Sequence, residues 1–138
     1  MGIVTHKTAA QVLEDKRANA KARVDEAAGK ARERFVSPGD LIDQEYLAAE
    51  TAAQEFKAAG YPSSGVPPEV QSWADAASIT AIEAADDIIA TGQNWRGVLS
   101  QVRAVRLAGK AAVDAAAAGD IETTAQTYID QLQSMTPA

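Results

Sequence analysis

Residues 87–110, DIIATGQNWRGVLSQVRAVRLAGK, decide the fold, because they have the pattern of one helix although they contain three glycines. Apolar and small residues recur here at the three-, four- and seven-residue intervals of a helix packing seam. A glycine on such a seam costs about 1 kcal/mol of helix propensity but lets a neighbouring helix approach closely. The predicted seam comprises Ile88, Gly92, Trp95, Leu99, Val102, Arg106, Gly109 and Val113.

The composition favours a strongly helical protein with a thin core. The chain has 138 residues, about the length of one ordinary domain, and 31 of them are alanine. Alanine is the best helix former, but its side chain buries little apolar area. Such a chain is expected to complete its fold by packing against a partner. Cysteine is absent from the sequence, which excludes disulfides and thiolate metal sites.

The segment 8–36 contains no proline and predicts a long amphipathic first helix. Between residues 7 and 36 there are eight Lys or Arg against five Asp or Glu, whereas the whole chain carries a net charge of −6. A basic helix of this kind is expected to lie on an acidic surface of its own chain or of another. Its predicted apolar stripe comprises Leu13, Ala20, Val24, Ala27, Ala31 and Phe35.

A second helix is predicted over residues 40–59, from an N-cap at Ser37 and Pro38 to a glycine stop at Gly60. Its predicted apolar face comprises Leu41, Tyr46, Leu47, Ala52 or Ala53, and Phe56. The stretch GYPSSGVPP, residues 60–68, follows as a linker, because glycine, proline and serine are concentrated there.

Three further helices are predicted after the linker. Residues 68–78 form a short helix with Val70 and Trp73 as anchors, and a capping box from Thr80 to Glu83 begins the long glycine-containing helix. Asp120 is predicted to cap a last helix whose apolar face is Ile121, Ala125, Tyr128 or Ile129, and Leu132. The fold class is therefore all-α. An N-terminal helical hairpin, residues 1–60, is joined by the Pro/Gly-rich linker to a small C-terminal helical bundle, residues 61–138.

The residue types needed for catalysis are scarce. His6 is the only histidine, and it precedes every predicted helix, so a Ser-His-Asp arrangement is not expected. Glu83, Asp86 and Asp87 are interpreted as a solvated acidic helix start, where negative charge is favoured. We therefore predict a protein that is not an enzyme, with no catalytic, cofactor-binding or metal-binding residue. No segment has the length and apolarity of a membrane span, and no membrane partner is expected.

Cations follow one side of the long predicted helix and lie beside Trp95. One interpretation is a surface that binds an acidic segment of a partner, since Trp and Arg are enriched at interface hot spots. The other is internal pairing with Glu50, Glu55, Asp86 or Asp87, with Trp95 in the core. The negative net charge and the few aromatic residues disfavour nucleic acid as a partner. The predicted partner-binding residues are Leu13, Val24, Phe35, Trp95, Arg96, Arg103, Arg106 and Lys110.

Residues 61–115 carry a proline-led short helix, an Ala-Ala-rich acidic turn, Trp95 and the Arg103, Arg106, Lys110 row. In these features the chain resembles the small helical accessory proteins encoded in tail-fibre modules of tailed bacteriophages. The resemblance implies a non-enzymatic structural or assembly protein that binds a tail-fibre or baseplate component. It would act as a chaperone or as a retained subunit, in the virion tail or in the host cytoplasm during assembly.

Two alternatives to that partner and that role stay open. A second copy of this chain is a further candidate partner, because the long alanine-faced first helix needs another helix to cover it. A small helical regulatory or nucleic-acid-associated module is the alternative function, in which the basic row would contact phosphates.

Overall fold

The computed structural model describes residues 6–35 and 42–137; their regular elements are all helices, and they contain no strand. This described part of the chain contains five α-helices: α1 (Ala9–Glu33), α2 (Ile42–Ala58), α3 (Pro68–Ala77), α4 (Ala81–Ala115) and α5 (Ile121–Gln133). A single 3-10 turn, Ala118–Asp120, leads into α5. The prediction of an all-α protein is confirmed.

The chain forms two compact units that share α4. The first unit consists of Met1–Phe35 and Leu99–Ala138, and the second is the continuous segment Val36–Val98. The predicted boundary at residue 60 therefore lies inside the second unit. Because α1 and α2 belong to different units, their predicted pairing as a hairpin stays a prediction.

In the first unit, α1 packs along α5 and against the second half of α4. Thr8 begins α1 with a complete capping box, in which its hydroxyl accepts from the Gln11 backbone N–H and its own N–H donates to the Gln11 side chain. The core is built mainly from alanine and valine, as the composition predicts, and Ile121 and Leu132 are its largest fully buried side chains.

Cations of α1 and of its C-cap, Arg34, bind the ends of the neighbouring helices in this first unit. Arg34 donates to the backbone oxygens of Leu132 and Met135, each at 3.0 Å, and Arg17 donates to that of Ala116, also at 3.0 Å. These carbonyls lie at or just beyond the C-termini of α5 and α4, where positive charge is favoured. The basic first helix thus finds partners in its own chain.

In the second unit, α2, α3 and the first half of α4 surround a core cluster of Ala53, Phe56, Val70, Ala74, Ala84, Ala85 and Ile89. Gly60 has φ +85° just after α2, which confirms the predicted glycine stop. The hydroxyl of Thr80 accepts from the Glu83 N–H at 3.1 Å and begins α4 as predicted. The predicted cap at Ser37 and Pro38, like Leu41, lies outside the described residues.

Three predictions are wrong: the burial of Tyr46 and Leu47, the burial of Trp73, and the helix cap at Asp120. Leu47 and Tyr46 are exposed, because a helix turns Leu47 and Phe56, nine residues apart, to opposite sides, and Phe56 is the one buried. Trp73 is exposed because Val70 and Ala74 form the buried stripe of α3. The side chain of Asp120 makes no capping hydrogen bond, since the 3-10 turn runs directly into α5.

Candidate partner-binding surface

The predicted stripe on α1 is mostly used inside the first unit. Val24 is fully buried, and its Cγ1 would lie 3.2 Å from a Cβ built on Gly109. A partner cannot contact Val24 in this structure, because α4 and α5 already cover it. Leu13 and Phe35 are partly buried, and their role in partner binding stays a prediction.

Three of the four cations of α4 form ion pairs with described residues, and the fourth does not. Arg96 forms an ion pair with Glu50 of α2 in the second unit, which agrees with the alternative of internal pairing. Arg106 and Lys110 both pair with Asp25 of α1 in the first unit, at 3.2 and 2.9 Å. Arg103 is exposed and makes no ion pair or hydrogen bond with any described residue. Of the four cations, Arg103 is therefore the one without a partner among residues 6–35 and 42–137, and we consider it for contact with a partner protein.

Asp25 is a partly exposed carboxylate held by two cations. Its side chain is 41% exposed, and it accepts from Lys110 through Oδ2 and from Arg106 through Oδ1. Burial raises the pKa of Asp25, but the hydrogen bonds and positive charges of Lys110 and Arg106 outweigh it, so the pKa lies below its ordinary value. The sequence did not indicate this pairing, because Asp25 and Lys110 are 85 residues apart.

Glu50 is a buried carboxylate that lies on Gly92. Its side chain is 8% exposed, and a Cβ built on Gly92 would overlap its carboxyl group. The Gln54 amide donates to Glu50 Oε1 at 3.3 Å, and Arg96 supplies the opposite charge. The absence of a side chain at Gly92 thus makes room for a carboxylate, which the sequence did not predict. The close helix packing predicted for seam glycines is found at Gly109.

Beyond residue 98, α4 is apolar on two sides. Val102, Gly109 and Val113 are buried against the first unit, as the seam predicts. On the opposite side, six exposed apolar or small residues recur at helical spacing, and we call this set the outward face of α4: Ser100, Ala104, Leu107, Ala108, Ala111 and Ala115. Leu107 is the one large side chain of this face, and it is 43% exposed.

Trp95 is partly buried in the second unit, so it offers less surface to a partner than expected. Two exposed residues that the sequence did not single out for binding are more accessible: Leu47, 64% exposed on α2, and Leu107. The helical spacing of Leu107 from Ala104, Ala108 and Ala111 is a sequence signal for this face, which the predicted seam on the other side of the helix does not include.

Known proteins do not identify this surface. Comparison with protein-family models, with curated proteins and with solved structures finds no match to the chain. Within residues 6–35 and 42–137, no helix is both long enough and apolar enough to cross a membrane. The function is therefore argued from the geometry of the helices.

Proposed function

We propose that the protein is a non-enzymatic structural or assembly protein that binds another protein through helix-mediated contacts at the outward face of α4. The observation that carries the proposal is that α4 is apolar on two opposite sides, of which its own chain covers one. An apolar helix face is normally covered by another element of the protein or by a partner. The outward face is the side still open to a second protein.

The shape of the outward face suits another helix. Alanine side chains let a second helix axis come close, and Leu107 supplies one knob for a hole on the partner. Arg103 lies beside Leu107 on the helix surface, one turn earlier, and has no partner among the described residues. An acidic residue at the rim of the partner helix would pair with Arg103 and fix the orientation of the two helices.

The resemblance suggests which protein this partner is. The residues that resemble the bacteriophage accessory proteins include most of the outward face, so we propose a tail-fibre or baseplate component as the partner. In that setting the protein would act as a folding chaperone or as a retained tail subunit, in the host cytoplasm or in the virion. The alternative of phosphate binding has less support, because Arg96, Arg106 and Lys110 already neutralise carboxylates.

Site-specific photo-crosslinking tests this proposal. A photoreactive amino acid replaces Leu107, and the matched control carries it at Thr123, an exposed residue of α5. We expect irradiation of infected cells to give one defined adduct, a tail protein, from position 107 and none from position 123. Equal adducts at both positions, or none at 107, would contradict the proposal.

The affinity for the captured protein supplies the quantitative test. Leu107→Asp is expected to weaken binding by about 2 kcal/mol, close to 30-fold, because it places a charge in the contact. Helicity should not change, since Leu107 does not belong to the core. Titration with duplex DNA at low and high salt checks the alternative: steeply salt-dependent binding would favour phosphate contacts over the proposed function.

A further inference from the structure

Trp73 of α3 is an exposed tryptophan held in a fixed orientation. Its side chain is 43% exposed, and its indole Nε1–H donates to Asp87 Oδ2 of α4 at 2.6 Å. Because both residues belong to the second unit, this hydrogen bond ties α3 to α4 at the surface. The ring is thereby held in place while much of its area stays in contact with solvent.

Two more carboxylates belong to the same surface. Glu69 precedes Trp73 by one helical turn on α3, and Glu83 precedes Asp87 by one turn on α4, so each lies on the same side as its neighbour. Glu69, Glu83 and Asp87 are all exposed, and none of them forms an ion pair with a described residue. We call Glu69, Trp73, Glu83 and Asp87 the Trp73 patch.

The second unit has no cation left to neutralise this patch. Between residues 36 and 98 there are ten Asp or Glu against two cations, Lys57 and Arg96, a net charge of −8. Arg96 pairs with Glu50, and the Lys57 amino group lies 3.9 Å from Asp86. Asp86 also accepts from the Tyr61 hydroxyl at 2.5 Å. The negative charge around Trp73 is therefore available to a cation from outside.

We propose that the Trp73 patch binds a lysine- or arginine-bearing segment of a partner protein. The cation would lie over the face of the indole ring, where the ring quadrupole attracts positive charge, and would pair with Asp87 and Glu83. A tryptophan that is already oriented loses little freedom on binding and is well suited to anchor such a contact. This site is distinct from the outward face of α4, lies in the other unit and recognises the opposite charge.

The two tryptophans of the chain give a direct measurement. A 15N-labelled sample shows two indole N–H signals by NMR, and Trp73→Phe assigns them. The probe is a capped peptide of alternating lysine and glycine, with an arginine version beside it. A peptide carrying glutamine in place of each cation is the control. We expect the cationic peptides to shift the Trp73 signal saturably, while the Trp95 signal stays in place and the glutamine peptide has no effect.

The variant Glu83→Gln/Asp87→Asn sharpens the test, because an asparagine oxygen can still accept from the Trp73 indole while both charges are lost. We expect it to weaken peptide binding about tenfold with the fold intact. An equal shift from the glutamine peptide or from sodium chloride at matched ionic strength would overturn the proposal, as would unchanged affinity in the double variant.

Sedimentation of the same samples tests whether a second copy of the chain, rather than a partner protein, binds the Trp73 patch. A salt-sensitive dimer that the double variant converts to monomer, without any peptide binding, would assign the patch to a second copy of the chain and overturn the proposal. Because Leu107 is not altered in any of these samples, failure here leaves the crosslinking test of the proposed function unaffected.

Discussion

The two units use a glycine of the same helix in different ways. In the first unit, Gly109 is covered by apolar groups: a Cβ built on it would lie 2.9 Å from Tyr128 Cβ and 3.2 Å from Val24 Cγ1. In the second unit, Gly92 is covered by the carboxyl group of Glu50. One glycine therefore permits apolar helix packing, and the other makes room for a buried charge.

The difference extends to the cations beside each glycine. The carboxylate near Gly109 is Asp25, which is partly exposed and shared by two cations. The carboxylate at Gly92 is buried and has one cation, Arg96, whose side chain is 50% exposed. When a buried charge has a single cationic partner, loss of that cation destabilises the fold strongly. When a partly exposed charge has two cationic partners, loss of one has a smaller effect. The ion pair of the second unit should therefore matter more to stability.

The largest expected effect comes from Arg96→Met. It leaves the Glu50 carboxylate buried with the Gln54 amide as its remaining hydrogen-bond donor, so we expect the free energy of unfolding to fall by about 2 kcal/mol. Glu50→Gln should cost less than about 1 kcal/mol, because an amide fits the same space without a charge and Arg96 stays hydrated. Urea unfolding followed by circular dichroism at 222 nm measures both.

The double variant Glu50→Gln/Arg96→Met provides the control. It should be more stable than Arg96→Met alone, because the uncompensated charge is gone. Equal costs for the two single variants would show that Glu50 is solvated, and the contrast between the two glycines would then be lost.

Alanine at each glycine of α4 gives the next largest effect. Gly109→Ala should destabilise the protein by about 1–2 kcal/mol, because Tyr128 Cβ is fixed to the backbone of α5 and the overlap exceeds the gain in helix propensity. Gly97→Ala should stabilise it by about 1 kcal/mol, because no described heavy atom beyond its chain neighbours and the adjacent backbone of α4 lies within 4 Å of the new Cβ.

Gly92→Ala should fall between these two variants, because the group it meets is the end of a flexible side chain. The same urea titration ranks all three. If Gly92→Ala costs more than Gly109→Ala, the Glu50 side chain is held as rigidly as the backbone of α5.

These contrasts also show what the sequence could predict. Helix periodicity and caps predicted α4 and the closely packed glycines, because both depend on spacing within one segment. The seam pattern included Gly92 and Gly109 and left out Gly97, but it did not show which group would cover each glycine, since only the fold brings Glu50 and Tyr128 beside α4. The same limit applies to the basic row. Its spacing was visible, but Asp25 could be matched to Arg106 and Lys110 only after α1 was placed against α4.

The smallest expected effect, and the one most dependent on solvent conditions, comes from Asp25→Asn. Because Asp25 is partly exposed, we expect the variant to lower the free energy of unfolding by less than about 1 kcal/mol at pH 7, and by still less in 1 M salt. The folded protein holds the pKa of Asp25 below its ordinary value of about 3.9, so the stabilisation is complete at neutral pH and is lost as the pH falls below about 4.

Urea titrations of the parent and of Asp25→Asn at pH 7, 5 and 3 measure the gap between their free energies of unfolding. Arg103→Gln is the control, because it removes a cation that pairs with no described residue. The gap should be the same at pH 7 and 5 and should shrink at pH 3, while Arg103→Gln matches the parent at pH 7. A gap that widens at pH 3 would mean that the folded state raises the pKa of Asp25. Burial of Asp25 would then outweigh the two cations that pair with it.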